Sequence, residues 1–421
     1  MYGKASVFWA VLLACLIGVA SSPQAGERLR MLCVTHPWTD FMKKVLPEFE
    51  KENNCTVQVE VYAEDQLTHK LTVEFAAGGA GVDVFMTRPL QDARMMKKNG
   101  WYVDLGPLAR GDADYDFEDF NPGAVASTTV DGFLTAIPLI TEMEVLYYRK
   151  DILKEKGIAV PTTLDELMAA AEKLTDRAGG FYGFACRGQR SPLVTQFSSF
   201  LYGFGGDFQN DAGDSLLNTP EFAAAVEYYG TILNKYAPEG ILNMSWPQVI
   251  AVYNQGKLAF FSDASSLYSN VLDPAKSEYA DRTGVAVFPK GPKAHKTYDI
   301  TAWALSMYAN SSNKDLAWKL ISFLSDKKNT IYLQGDGMTQ LARGSAWTDP
   351  AGTKNFPADW VEAVKASGPI GIGHDRPQVT AVSEARDIIG EAVAASIEGK
   401  DFRPALTEAH RKFQELIDRE K

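Results

Sequence analysis

Cysteine is scarce in this chain of 421 residues, with only four in all. Cys15 lies in an apolar leader, which leaves Cys33, Cys55 and Cys186 at wide spacing. An odd, scattered set is no disulfide framework. One bridge is compatible with it, but a core this size does not require one. The five histidines (36, 69, 295, 374 and 410) lie far apart with no HExxH and no Cys/His pair, which argues against a zinc site. A basic surface is missing too: the net charge is −11, whereas a phosphate-backbone binder needs clustered Lys and Arg. Walker loop and G-x-S-x-G elbow are both absent. "GFGG" (203–206) and "GIGHDR" (371–376) fall short of a dinucleotide fingerprint, because Arg376 stands where the third glycine belongs. Repeats, low-complexity runs and an obvious flexible linker are also lacking.

Apolar length is confined to the beginning. "MYGKASVFWAVLLACLIGVASSPQAGE" carries Lys4, an apolar run from Val7 to Ala20, and small residues at Ala20–Ser22 and Ala25. That pattern predicts a secretory signal peptide over 1–25. The run is shorter than the roughly 20 apolar residues of a membrane anchor. Cys15 resembles a lipid attachment point, but the chain stays apolar after it. The mature chain is therefore expected to be exported to the periplasm and soluble. Roughly 395 residues remain, which suits two lobes better than one core. Composition is globular, since 46% hydrophobic residues are enough to fill such cores.

The mature part opens with strands alternating with helices. "LRMLCV" (29–34), "CTVQVEVY" (55–62) and "VDVFMT" (82–87) read as strands, separated by helical periodicity. Pro47 is expected to kink the first helical stretch. Alternation of this kind implies parallel βαβ units covered on both faces. In "PTTLDELMAAAEKL", Thr163 and Glu166 have capping-box spacing. The end is helical, with apolar stripes in "SEARDIIGEAVAASIEGK" and "RPALTEAHRKFQELI".

"IPLITEMEVLYYRKD" (137–151) is a strand that places Glu142 and Glu144 on one face. Such a pair can be a glycosidase acid/base pair, acceptors for a ligand, or solvent-facing charges. The geometry of two neighbours on one strand does not flank a scissile bond. Glu142 is expected in a cleft, and Glu144 beside solvent or a counter-charge. Tyr147–Tyr148 and Tyr228–Tyr229 offer phenolate ligands for ferric iron or, as neighbours that diverge, packing. Elsewhere polar forks sit beside aromatics. Arg187, Gln189 and Arg190 precede a dense aromatic run, Trp246 precedes Asp263 and Ser265, Trp303 follows a polar turn, and His36 and Trp38 follow the first strand. Aromatic faces and planar donors or acceptors suit a neutral, hydroxyl-rich ligand.

From "DGFLTAIPLITEMEVLYYRKDILKEKGIAVPTTLDELMAAAEKL" onward the chain resembles the extracellular solute-binding proteins of carbohydrate ABC importers, the broad family that includes maltose-binding protein. "YYRKDI" and "PTTLDEL" match that family's strand-and-helix pattern, with Arg149 where Asn is usual. "FLYGFGGDF", "NQGKLAFFSD", "VAVFPKGP" and "NKDLAWKLISFLSD" follow in order, so the resemblance spans essentially the whole mature chain. "QLAR" (340–343) departs from the family, which often has a proline before Ala-Arg.

The resemblance implies an α/β fold of two lobes, each a mostly parallel sheet flanked by helices, joined by a multi-strand hinge. One lobe is expected from 26–140 with 292–342, the other from 141–291 with 343–421. By motif position Glu142 corresponds to a carboxylate that accepts sugar hydroxyls, Asp263 to a cleft residue and Arg88 to a first-lobe polar contact. Arg187, Gln189, Trp303 and Arg376 join them on chemistry and rough alignment, as do His36, Asp65 and Trp38. Trp38 reads equally well as core. The implied function is a periplasmic component that binds a monosaccharide or sugar alcohol between the lobes and delivers it to an ABC permease. It is expected to act as a monomer, with no cofactor, metal, nucleic-acid partner or enzymatic activity. An oligosaccharide ligand and a secreted glycoside hydrolase are the alternatives.

Overall fold

Runs of buried β-branched and aromatic residues set the strands, and the computed structural model describes them over residues 27–421. The expected leader and Cys15 lie outside the described residues, as does the side chain of Asp65. In chain order the strands are β1 (Glu27–Val34), β2 (Cys55–Tyr62), β3 (Val84–Thr87), β4 (Thr129–Val130), β5 (Phe133–Leu134), β6 (Ile137–Arg149), β7 (Tyr182–Ala185), β8 (Leu258–Ala264), β9 (Thr283–Val287), β10 (Thr297–Met307) and β11 (Gly371–Ile372). β4 and β5 form a small hairpin, and the others make one sheet with the path β2-β1-β3-β10-β6-β8-β7. β1 pairs in parallel with β2 and β3, and β7 with β8. β10 runs antiparallel to β3 and β6.

Two cores divide along this sheet. The first joins Leu29, Phe85, Leu139, Leu305 and Leu341 with the helices around them, and the second joins Val145, Phe184, Phe260, Trp360 and Phe413. β6 belongs to both. Its residues 137–143 pair with β10, and its residues 144–149 pair with β8 and β9. β10 crosses back, pairing through Ala304–Met307 with β3 and through Thr297–Tyr298 with β11. A third crossing runs beside β6, where Thr141 N–H donates to the Gln340 carbonyl at 3.1 Å and Ala342 N–H to that of Leu139 at 3.0 Å. Arg343 then anchors in the first lobe on the carbonyls of Tyr115, Asp116 and Ser325. The "QLAR" segment is thus a structural crossing. Past it, Gln334 Nε2 holds the carbonyls of Ala346 and Gly352, while Trp347 packs against the second core beside Phe356 and Trp360.

Local chemistry places the helices. Thr163 caps the helix Leu164–Leu174, and Glu166 reaches back to complete the capping box. The first helix has already ended at Met42, and Pro47 sits in the first turn of a second, Leu46–Asn53, rather than kinking a continuous one. Cys33, Cys55 and Cys186 are buried and unpaired. The tyrosine pairs pack: Tyr147 stacks on Phe261 at 4.5 Å, and Tyr229 donates to the Arg187 carbonyl at 2.6 Å.

One hinge residue carries a cost. Asp299 on β10 is fully buried, and neither carboxyl oxygen has a hydrogen-bond partner. Gly123 and Gly371 flank it, and a Cβ on either would approach within 3.2 Å of Asp299 Oδ2. Burial raises this carboxyl to about 7. An unfolded aspartate titrates near about 3.9, so the native state keeps a proton the unfolded chain has already lost. Stability contributed by this group therefore falls as pH rises from about 4 to about 7. Asp299→Asn is expected to narrow the fall in melting temperature between pH 5 and pH 8. An unchanged slope in scanning calorimetry would remove Asp299 as its source.

Candidate ligand-binding cleft

The carboxyl ends of the parallel strands in both lobes converge on one gap, as open α/β sheets require. Past β1 come Thr35 and His36, past β3 Arg88, past β7 Arg187, and past β8 Ser266. The crossing strands contribute Ile140 and Glu142 from β6 and Ile300 to Trp303 from β10. The enclosed space is about 660 Å³. Trp246, more than a third exposed, stands at its rim.

On the first-lobe side, Trp38 N–H donates to His36 Nδ1 at 3.1 Å. Burial lowers the imidazole to about 4, so the ring is neutral and carries its proton on Nε2. Arg88, the residue before the helix Pro89–Lys98, pairs with Glu64, with Thr68 at 3.1 Å and with Asp92 at 3.4 Å. Its guanidinium lies 6.0 Å from the Trp303 ring centroid, within cation–π range.

The second-lobe wall is built on buried ion pairs. Arg187 Nε and Nη2 meet Asp263 Oδ2 and Oδ1 at 3.0 and 2.5 Å, the planar fork that fixes a guanidinium in two directions. Gln196 Nε2 donates to Asp263 Oδ1 and to the Tyr298 hydroxyl, both at 3.1 Å. Arg376 makes the same fork with its neighbour Asp375, 2.6 Å for each bond. Burial would raise the Asp375 carboxyl, but the Arg376 guanidinium outweighs it and holds the group at about 2. Arg386 donates to the Ser191 carbonyl at 3.1 Å and to Thr195 Oγ1 at 3.2 Å. On the floor, the Ser266 hydroxyl donates to Glu142 Oε1 at 2.7 Å, and burial raises the Glu142 carboxyl.

His36, Arg88, Glu142, Arg187, Trp303 and Arg376 thus line one cleft. Asp263 is 1% exposed and sits behind Arg187, holding it in place. Trp38 is a correction: on the helix Pro37–Met42 it lies four residues from Met42, and both point into the first core. Gln189 is a second. Its N–H bonds the Met244 carbonyl and its own carbonyl receives Leu193 N–H, which turns the chain outward and leaves the side chain exposed. A third is Glu144, which is fully buried instead of facing solvent or a counter-charge. Its carboxyl has no hydrogen-bond partner, although Ser199 and Ser262 lie beside it, and burial raises it well above the ordinary range. The sequence reading missed Glu64, Gln91, Ser266, Asn270 and Arg386 as lining residues. Ser266 was within reach, three residues past Asp263; Arg386 lies on an amphipathic helix that looks like any surface helix.

This architecture defines a two-lobed binding protein with its site between the lobes. The chain belongs to the bacterial extracellular solute-binding protein family, whose model matches residues 36–331. It is similar to the mannitol-binding protein of Pseudomonas aeruginosa, 28% identical over 313 residues, covering 73% of this chain and 71% of that one. It is also similar to a solute-binding protein from Agrobacterium radiobacter solved with ribitol: 29% identity, TM-score 0.78, 94% of this chain and 100% of the other. The maltose-bound protein of T. maritima superposes with a TM-score of 0.76 at 27% identity, over 92% and 99% of the two chains.

Removing one partner of a buried pair leaves the other charge desolvated. Asp263→Ala is expected to lower unfolding free energy by about 3–5 kcal/mol, measured by urea denaturation. The double substitution with Arg187→Met should cost less than Asp263→Ala alone; additive losses would show that the two residues are not coupled.

Proposed function

We propose that this protein is the substrate-binding component of an ABC importer, and that it carries a sugar alcohol or monosaccharide in the interlobe cleft to a membrane permease. The carrying observation is the cleft itself: a neutral imidazole, three second-lobe guanidinium groups, a floor carboxyl and two indoles converge where the lobes meet. Hydroxyls of a flexible polyol would find donors from Arg187, Arg376 and His36 and an acceptor in Glu142, while its C–H faces lie on Trp303. The relatives that carry mannitol and ribitol in their names support that ligand class.

Side-chain bonds across the gap between the lobes are single and solvent-accessible in the main: Gln91 to Ser383 at 3.3 Å, and two from a guanidinium, Arg376 to Gln91 at 3.3 Å and Arg94 to Gln378 at 2.9 Å. Bonds of this kind are individually weak, so the relative position of the lobes is open to bias by a ligand that touches both. The permease would then receive the closed form.

A hydrolase reading has less support. Glycoside hydrolysis needs two carboxyl groups across the scissile bond, about 5–9.5 Å apart. Glu144, the sequence neighbour that would serve as partner to Glu142, is sealed in the second lobe.

A thermal-shift panel of alditols, monosaccharides and maltodextrins tests the proposal. At about 100 times its Kd, a ligand should stabilise the protein by about 2.7 kcal/mol. Alditols or monosaccharides are expected to shift the melt and to reduce the radius of gyration in solution scattering. Glu142→Ala should weaken that binding by about 1–3 kcal/mol in calorimetry. A response confined to maltodextrins would replace the small-ligand reading with the oligosaccharide one.

A further inference from the structure

The three second-lobe arginines are not equivalent. Arg187 and Arg376 each hold a carboxylate of their own, Asp263 and Asp375, in a two-bond fork. Arg386 holds only neutral acceptors, the Ser191 carbonyl and the Thr195 hydroxyl, and its Nη1 has no partner among the described residues. The carboxylates that act on it are Asp375, already committed to Arg376, and Asp387, which stands on the exposed side 3.7 Å from Arg190. Glu142 does not balance it, because that carboxyl acts on Arg187 and Arg376 and already accepts from Ser266. Burial, followed by the positive charge of Arg376, lowers the Arg386 guanidinium to about 9. A guanidinium in that position is the mark of a cation short of one counter-charge. Arg187 also has an Nη1 without a protein partner, and both arginines line the cleft.

Resting on the polyol-carrier reading above, we infer that the cleft takes a polyol chain ended by a carboxylate, an aldonate, with Arg386 receiving the carboxylate. A carboxylate there accepts charge-assisted bonds that a terminal hydroxyl cannot match, and it completes the pairing that Asp263 and Asp375 provide for the other two arginines. The remaining hydroxyls occupy the same donors and acceptors as in an alditol.

Calorimetry at low ionic strength and pH 7 with the pairs ribitol and ribonate, and D-mannitol and D-mannonate, tests this. The aldonate of at least one pair is expected to bind ten-fold or more tightly than its alditol, with the gap shrinking as salt is added. Arg386→Gln should reduce aldonate affinity at least ten-fold more than alditol affinity, and Arg386→Lys should keep most of the preference because it keeps the charge. Ligand-free melting curves confirm that both variants are folded. Alditols that bind as well as or better than their aldonates overturn the assignment and leave the polyol-carrier reading standing. Equal losses for both members of a pair in Arg386→Gln also overturn it, since they would make the residue a prop for the wall. Silence of all four ligands overturns this inference, and the alditol and monosaccharide panel above then decides the reading it rests on.

Discussion

β6 is hydrogen-bonded into both lobes' halves of the sheet at once, and most of the molecule follows from that. Its first half pairs with β10 in the first lobe and its second half with β8 and β9 in the second. A strand pinned at both ends cannot translate, so relative motion of the lobes must be absorbed where one pairing hands over to the other, between Met143 and Glu144. Glu142, one residue before that junction, lies on the cleft floor. The crossing at Gln340 runs alongside the same point, and Gln340 Oε1 accepts from the Ser265 hydroxyl at 2.5 Å. Any solute resting on Glu142 therefore lies over the place where the lobes hinge. In the proposed carrier, binding and closure would share one location.

The walls are stiffer than the hinge. Two arginines are locked by bidentate carboxylates, one of them braced further by Gln196 and Tyr298. Long flexible side chains normally lose rotamer freedom on binding, and here that entropy has been given up during folding. The expense appears in stability rather than affinity, because buried pairs seldom repay their desolvation. A preorganised wall on a soft hinge leaves the solute to decide one thing, how far apart the lobes stand.

Much of this was legible in the sequence because the fold depends on local patterns. The capping box at Thr163, the alternation of "CTVQVEVY" and the stripes of the two terminal helices are each set within a few residues. Cleft residues directly after strands, such as His36, Arg88 and Arg187, were also within reach, since strand ends in α/β folds point to the site. Trp38 and Gln189 misled because residues one or two positions apart after a strand can face opposite ways, and the turn that decides it is tertiary. Arg386 was invisible for a different reason. It comes from a helix distant in sequence, and only packing brings it against Thr195.

Glu142 and Glu144 show how far periodicity carries. Both lie on the same face of one strand, yet one lines the cleft and the other is sealed. At position 142 the strand pairs with β10, whose Ile300 also borders the gap. Two residues on, β8 and β9 begin to flank it, and the wholly buried helix Leu193–Gly203 brings Ser199 beside the carboxyl. An ionised group there would face heavy desolvation, which raises Glu144 well above the ordinary carboxyl range, as burial raises Asp299 on the neighbouring crossing strand to about 7. Each of these two crossing strands therefore buries one carboxyl raised by desolvation, and on β6 the carboxyl that borders the cleft is Glu142. The alternation rule places side chains on faces; what covers each face decides their chemistry.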